Sequence, residues 1–326
     1  MNPEVASRIA VCFGADALLR SCNRHPRVVF WHGVAPNPDP RIESEIADLD
    51  SFKKQIHYLQ KHYQIISVQE FYERFKEHNW EGKEICLQFD DGFKNNLTVA
   101  APFLKEHNIP FVVFVSTNHI ETGKLYPTSL ARVMIWGSGL EKLSIPSIGF
   151  QATLKNEQEK TAAGKYLSEK LKTSSLSVVQ GIYDDLKNNV SSERFSELVE
   201  SLPDLHPMTW EDVCEIQNYS CTIGAHCLEH ICCHDKQDES VVREQIVSSK
   251  RIIEAKIGKP CEYFAYPNGS FTDFSNKVVM EEAGFKMGFS TKPTRIELCF
   301  NDATVPRICL PADYNLARIK LNYYPR

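Results

Sequence analysis

Four short stretches of the 326-residue chain carry side chains able to do chemistry, and each follows a run of apolar residues. The first is Phe89-Asp90-Asp91-Gly92. Two adjacent carboxylates at a strand end repel, so one usually needs a metal or another cation nearby. Asp-Gly is also a common turn pair, and taken alone the quartet reads as a solvated turn. The second is His226-Cys227-Leu228-Glu229-His230, where two imidazoles four residues apart can share one ion if the segment takes a helical turn. Surface or core histidines are the plainer reading. The third, residues 264–269, ends in a Pro267-Asn268-Gly269 turn whose backbone amides can form half of an oxyanion hole, or simply a β-turn. The fourth is His32, a lone histidine at the end of Phe30-Trp31, where a structural role is the commoner one.

A parallel α/β barrel is the architecture that gathers such residues, because its reactive groups cluster at the C-terminal ends of the strands. Residues 28–31, 65–68, 85–89, 110–115, 221–223, 263–266, 287–289 and 304–308 read as strands. Between them lie helical stripes, such as Leu49, Phe52, Ile56, Leu59 and Tyr63, or Val242, Ile246, Ser249, Ile253 and Ile257. A helix is also predicted over roughly 95–107. Thr209, followed by Glu211 and Asp212, marks a helix start; Gly258 and Pro260 mark a stop. The expectation is an α/β fold: one domain over 1–326, an irregular parallel (β/α) barrel of seven or eight units. The stretch 121–205 breaks the rhythm with Gly137-Ser138-Gly139 and two Ser- or Lys-rich helical patterns. It is predicted to be a helical insertion on the barrel rim, either a lid or a solvated decoration.

Composition narrows the function classes. A net charge of -5 gives no basic surplus for phosphates, which argues against nucleic acid as the main partner. No stretch of about 18 apolar residues exists, so no transmembrane helix is expected. The 11 cysteines are odd in number and lack a visible signal peptide, so they read as free thiols of a cytoplasmic protein.

Taken together and in order, the four stretches resemble the polysaccharide deacetylases, carbohydrate esterase family 4. The family's T-F-D-D-G motif is matched by Gln88-Phe89-Asp90-Asp91-Gly92 and its H-S/T-x-x-H motif by His226 to His230, with Cys227 in place of Ser or Thr. The F-A-Y-P-x-G motif of one large branch is matched by Phe264 to Gly269. Trp31-His32-Gly33-Val34-Ala35-Pro36 and Val305-Pro306-Arg307-Ile308 also look like that branch, while the family's late Leu-x-His motif is not apparent. The resemblance covers about 26–120 and 207–310.

It implies a metal-dependent carbohydrate N-deacetylase acting on an N-acylated sugar or glycoconjugate. Asp91, His226 and His230 would bind one divalent metal, zinc before Co2+, Ni2+, Fe2+ or Mn2+. Asp90 would be the base acting on a metal-bound water, His32 the acid, and the Asn268 amide an oxyanion donor. Arg307 would pair with Asp90, a role other branches give to an arginine where this chain has Ala265. Tyr266 and Pro267 would contact substrate. A set of two histidines and one carboxylate leaves open positions on a metal, as such chemistry needs.

Two rivals remain at this level. One is a non-catalytic carbohydrate-binding relative that keeps the metal. The other is an inverted-motif metalloprotease with Glu229 as base, which needs His226 to His230 inside a long helix.

Overall fold

The computed structural model describes residues 2–292, 294, 296 and 301–323. Seven strands form the centre: β1 (Arg27–Trp31), β2 (Glu84–Phe89), β3 (Phe111–Val115), β4 (Cys221–Ala225), β5 (Tyr263–Ala265), β6 (Met287–Phe289) and β7 (Ile308–Cys309). They pair in parallel in the order β6-β5-β4-β3-β2-β1-β7. The chain thus winds round in sequence, and only the last strand returns to the first. The register sets Trp31 beside Phe89, Phe89 beside Val113, and Val115 beside Ala225, which levels the C-terminal ends of β1 to β4.

Residues 305–309 bring the sheet back on itself. Val305 donates to the Gly288 carbonyl and accepts from the Ser290 amide, both at 2.8 Å, alongside β6. Three residues later, Ile308 and Cys309 pair with Val29 and Phe30 of β1. Both outer strands of the sheet are therefore occupied by one segment, as in the (β/α) barrel expected from the sequence.

The strands are apolar because helices cover them. Every residue of β1, β2 and β3 is buried, the pattern of parallel strands packed on both faces. Helix Leu49–His62 lays Phe52, Ile56 and Leu59 on the sheet, and the Asp48 carboxylate caps its first turn from 3.0 Å. Helix Glu239–Ile257 starts at the Asp238 cap and ends at Gly258, whose φ of 66° is the left-handed stop. Among the described residues no helix is long and apolar enough to cross a membrane.

Three local expectations shift. The strand predicted over 65–68 is reduced to Gln64–Ile65 on β2, because Ser67 turns the chain by capping the Glu70 amide and starts helix Val68–Glu77. The helix at 95–107 opens with a π-helical turn, Asn96–Ala100, before Ala101–Glu106. The strand predicted at 304–308 pairs only through Val305 and then as Ile308–Cys309.

Between β3 and β4 the chain leaves the barrel. Helices Pro127–Arg132, Glu157–Thr173, Leu176–Asn188 and Ser192–Glu200 accompany an antiparallel hairpin, Lys142–Ile145 with Phe150–Thr153, which the sequence patterns did not suggest. Leu130, Leu143, Leu167, Ile182 and Leu186 give this stretch an apolar cluster separate from that of the barrel.

Closure leaves no room at Gly288. A Cβ there would meet the Ala303 carbonyl oxygen at 2.2 Å and Tyr266 at 3.1 Å. Gly288→Ala is expected to cost about 1–3 kcal/mol in urea unfolding. A variant with the wild-type midpoint would show that the 305–309 segment has slack.

Candidate active site

Asp90 and Asp91 follow β2 directly and are 2% and 3% exposed, so the solvated-turn reading of this pair does not hold. Asp90 continues the ladder, its amide donating to the Trp31 carbonyl at 2.9 Å. Asp91 breaks it, with φ at 72°, the left-handed region that L residues seldom adopt. The change of hand parts the two side chains and gives each its own partners.

Asp90 faces Arg307. The guanidinium forks onto both carboxylate oxygens at 2.7 Å, and its remaining donors reach the Ser290 carbonyl at 2.9 Å and the Gln88 side chain at 3.2 Å. Arg307 is fully buried, its charged end 4.3 Å from the centre of the Phe30 ring. Burial pushes the Asp90 carboxyl up, but Arg307, with His226 and His32, outweighs it and holds the pKa below the usual aspartate range.

Asp91 faces two imidazoles. Its Oδ1 lies 3.5 Å from His226 Nε2 and 3.2 Å from His230 Nε2. His226 Nδ1 lies 2.7 Å from the Ala265 carbonyl. A carbonyl only accepts, so that nitrogen carries the proton and Nε2 presents a lone pair. Oδ1 is itself buried and without a hydrogen-bond partner among the described residues. Acceptors held together away from water are costly unless a cation sits among them. The three ligand atoms lie within 4.8 Å of one another, so the set fits one divalent ion.

The histidines do not meet through a helical turn. Cys227 and His230 have φ of 62° and 53°, and backbone amides of Thr117 and Asn118 bind the carbonyls of Cys227 and Leu228. This fixed loop lacks the long helix an inverted metalloprotease motif requires, and Glu229 is already bound by the Asn118 side-chain amide at 2.6 Å.

Of the remaining expected residues, His32 is half-buried against Phe30 and close enough to Asp90 and Asp91 to favour their charged forms. Asn268 sits in the 267–269 turn with φ at 53°, its side chain on the Cys232 sulfur at 3.3 Å. Tyr266 and Pro267 are buried, and the Tyr266 hydroxyl donates to Asn276 at 2.9 Å. Both side chains hold the shape of the turn that presents Asn268.

Three further residues carry no motif. Tyr126 donates its hydroxyl to the main-chain carbonyl of Asp91, packs nearly perpendicular to His230 with ring centres 5.1 Å apart, and stacks on His119 with ring centres 4.1 Å apart. Glu45, half-buried, is bound by Arg132 at 2.5 and 3.1 Å. Burial raises the Glu45 pKa, yet Arg132 and His32 bring it below its ordinary value. Only the Pro127 that follows Tyr126 hinted at a helix start there.

A parallel barrel gathers such groups at its strand ends, where barrel enzymes place their chemistry. Residues 77–288 match the family model described as Polysaccharide deacetylase, and the chain belongs to that family. Solved structures give the same fold. The Streptococcus pyogenes deacetylase PplD, determined with acetate, is 14% identical with a TM-score of 0.59, covering 92% of this chain and 99% of that one. IcaB from Ammonifex degensii is 17% identical at 0.57, covering 92% and 97%. A de-N-acetylase from Aggregatibacter actinomycetemcomitans is 14% identical at 0.56, covering 92% and 100%. No curated protein matches the chain by sequence.

Two variants test the geometry. Tyr126→Phe removes the hydroxyl that steadies the Asp91 backbone, and zinc affinity in chelator competition should fall about tenfold with folding intact. Unchanged affinity would leave the hydroxyl without influence on the cluster. Arg307→Met strands the Asp90 charge, a loss of roughly 3–5 kcal/mol near neutral pH. In the wild type the folded pKa of Asp90 is depressed, so the pair's contribution is present above about pH 4 and lost as pH falls through the folded value. In the variant burial lifts the folded pKa, and the penalty appears as pH rises. Urea unfolding of the metal-free protein should show the larger deficit at pH 8 and the smaller at pH 5; a pH-independent deficit contradicts the assignment.

Proposed function

We propose that this chain is a metal-dependent hydrolase that removes an N-acyl group, acetyl by default, from an amino sugar or glycoconjugate. The observation that carries this reading is the orphaned Asp91 Oδ1 between two imidazole Nε2 atoms, one residue from a carboxylate kept ionised by its own arginine.

Asp91, His226 and His230 would hold the ion, with zinc the first choice for this donor set. When bound, such an ion acts as a Lewis acid and brings the pKa of water to about 7. Asp90 takes the proton from the attacking water, and Arg307 keeps its carboxylate charged and aimed until then. His32 gives a proton to the departing amine. The Asn268 amide, in its left-handed turn, serves the oxyanion. Membership of the branch with the F-A-Y-P-x-G motif is supported by Ala265: its small buried side chain stands where other branches keep an arginine, and the guanidinium arrives instead on Arg307.

Metal analysis and acetate release test this directly. Wild type should carry about one zinc per chain and release acetate from a panel of N-acetylglucosamine derivatives; His226→Ala should lose both. Asp90→Asn should keep the metal while turnover falls roughly 10²–10⁴-fold. Zinc-loaded protein that releases no acyl group from any of these sugars would favour the non-catalytic, carbohydrate-binding reading.

A further inference from the structure

Among the described residues the exposed large hydrophobics are Val5, Ile9, Phe13, Leu18 and Tyr323, and all five belong to three terminal helices or their caps. Those helices, Pro3–Cys12, Ala15–Cys22 and Tyr314–Asn322, pack on one another. Val5, Ile9 and Phe13 recur every fourth residue and form one stripe, and Phe13, on the turn between the first two helices, is 87% exposed. Scattered exposed hydrophobics are ordinary, but their confinement to one corner marks a contact surface. Beside this corner an open groove runs between helices Leu49–His62 and Tyr314–Asn322. Lys54, His57, Lys61, His62 and Arg318 line it, and no carboxylate does. Arg20, on the helix that carries Leu18, donates to the Tyr58 hydroxyl in the groove wall at 2.8 Å and so joins groove and corner. We infer that the corner and the groove together dock on the surface of an anionic phospholipid bilayer, a property that goes beyond the catalytic reading.

Charge and shape select that partner. Asp16 is buried, bound by Arg318 at 2.6 Å and 3.9 Å from Arg20, one negative charge for two positive ones. No carboxylate of the lining answers Lys54 or Lys61. Burial, and then the positive charge of Arg20, Lys61 and Arg318, holds the His62 pKa below its ordinary value, as an excess of cations requires. In a chain of net charge -5, such a face attracts anions locally while the whole molecule does not. The terminal helices of 10 and 8 residues cannot span a bilayer, which takes about 20. Short helices with apolar side chains beside basic ones lie in the interface instead, with Phe13 and Leu18 at the acyl boundary and the lysines on headgroup phosphates. A second copy of this chain fits less well, since pairing the corner with itself brings two positive grooves together. Nucleic acid would take up the charges and leave the apolar stripe in water.

Co-sedimentation of the full chain with vesicles tests the proposal. One set is phosphatidylcholine alone, the other equal parts of phosphatidylcholine and phosphatidylglycerol. Wild type should bind the anionic set about tenfold or more tightly than the neutral one, and salt should release it. Lys54→Gln combined with Lys61→Gln should weaken anionic binding roughly 25-fold, about fivefold for each lysine. Phe13→Ser should weaken it about tenfold. All three side chains are exposed, so the variants should keep the wild-type midpoint in urea, which separates lost docking from lost folding. Wild type that binds neither set, or both equally, overturns the proposal, as does either variant binding like wild type. Dimerisation that Phe13→Ser abolishes, in a protein that leaves both vesicles unbound, would give the corner to a second copy. None of these measurements needs turnover, so the docking surface and the deacetylase reading can fail separately.

Discussion

Two neighbouring carboxylates buried at the end of one strand cannot both stay charged unless each has a cation of its own. That constraint organises this molecule. Asp90 is answered by Arg307, which the closing segment carries in from the far end of the sequence, 217 positions away. Asp91 is answered by His226 and His230 at the end of β4, a set that calls for an ion. The left-handed backbone at Asp91 keeps the two answers apart. Barrel closure and site assembly are therefore one event. The residues that join β6 to β1 also set Arg307 against Asp90, and a barrel left open there would strand a buried charge.

The sequence made the strand-end groups legible because reactive type and position coincide there. Asp90-Asp91, His226 and His230 follow apolar runs, and only in combination do they outweigh the plain turn or core-histidine readings. Arg307 became legible through the motif surrounding it. Other features were hidden for physical reasons. Two-residue strands such as Ile308–Cys309 leave no periodicity to read, and Ser67 ended a predicted strand through a cap whose effect depends on one hydrogen bond. The loop from His226 to His230 looked like a possible helical turn because spacing alone cannot distinguish a turn of helix from two left-handed residues. Tyr126, Glu45 and Arg132 carry no motif, and their partners lie 35 to 87 positions away.

Those hidden residues give the stretch between β3 and β4 its relation to the site. It has an apolar cluster of its own and could be mistaken for an independent appendage. Yet two polar ties run from the two ends of helix Pro127–Arg132 into the site: the hydroxyl of its N-cap Tyr126 on the Asp91 carbonyl, and Arg132 on Glu45. Both are short, and the first is directed at a residue of the proposed ligand set. Contacts of that kind transmit position more than they add stability. A displacement of helix Pro127–Arg132 would move the Asp91 backbone and uncover Glu45 together.

The charges close to the cluster bear on the acyl transfer proposed for it. Asp90, Asp91 and Glu45 bring three negative charges, and Arg307 and Arg132 bring two positive ones, a deficit of one. Each arginine is committed to one carboxylate by two hydrogen bonds, so Asp91 holds the uncompensated charge. A divalent ion there would turn the deficit into a surplus of one positive charge. That is the charge needed to balance a single oxyanion, in a buried setting where it is weakly screened. A monovalent cation would only neutralise Asp91 and leave the oxyanion unanswered. On this reasoning the two arginines do more than hold their carboxylates. With the other negative charges already paired, an ion held by Asp91, His226 and His230 would be left to act on the substrate.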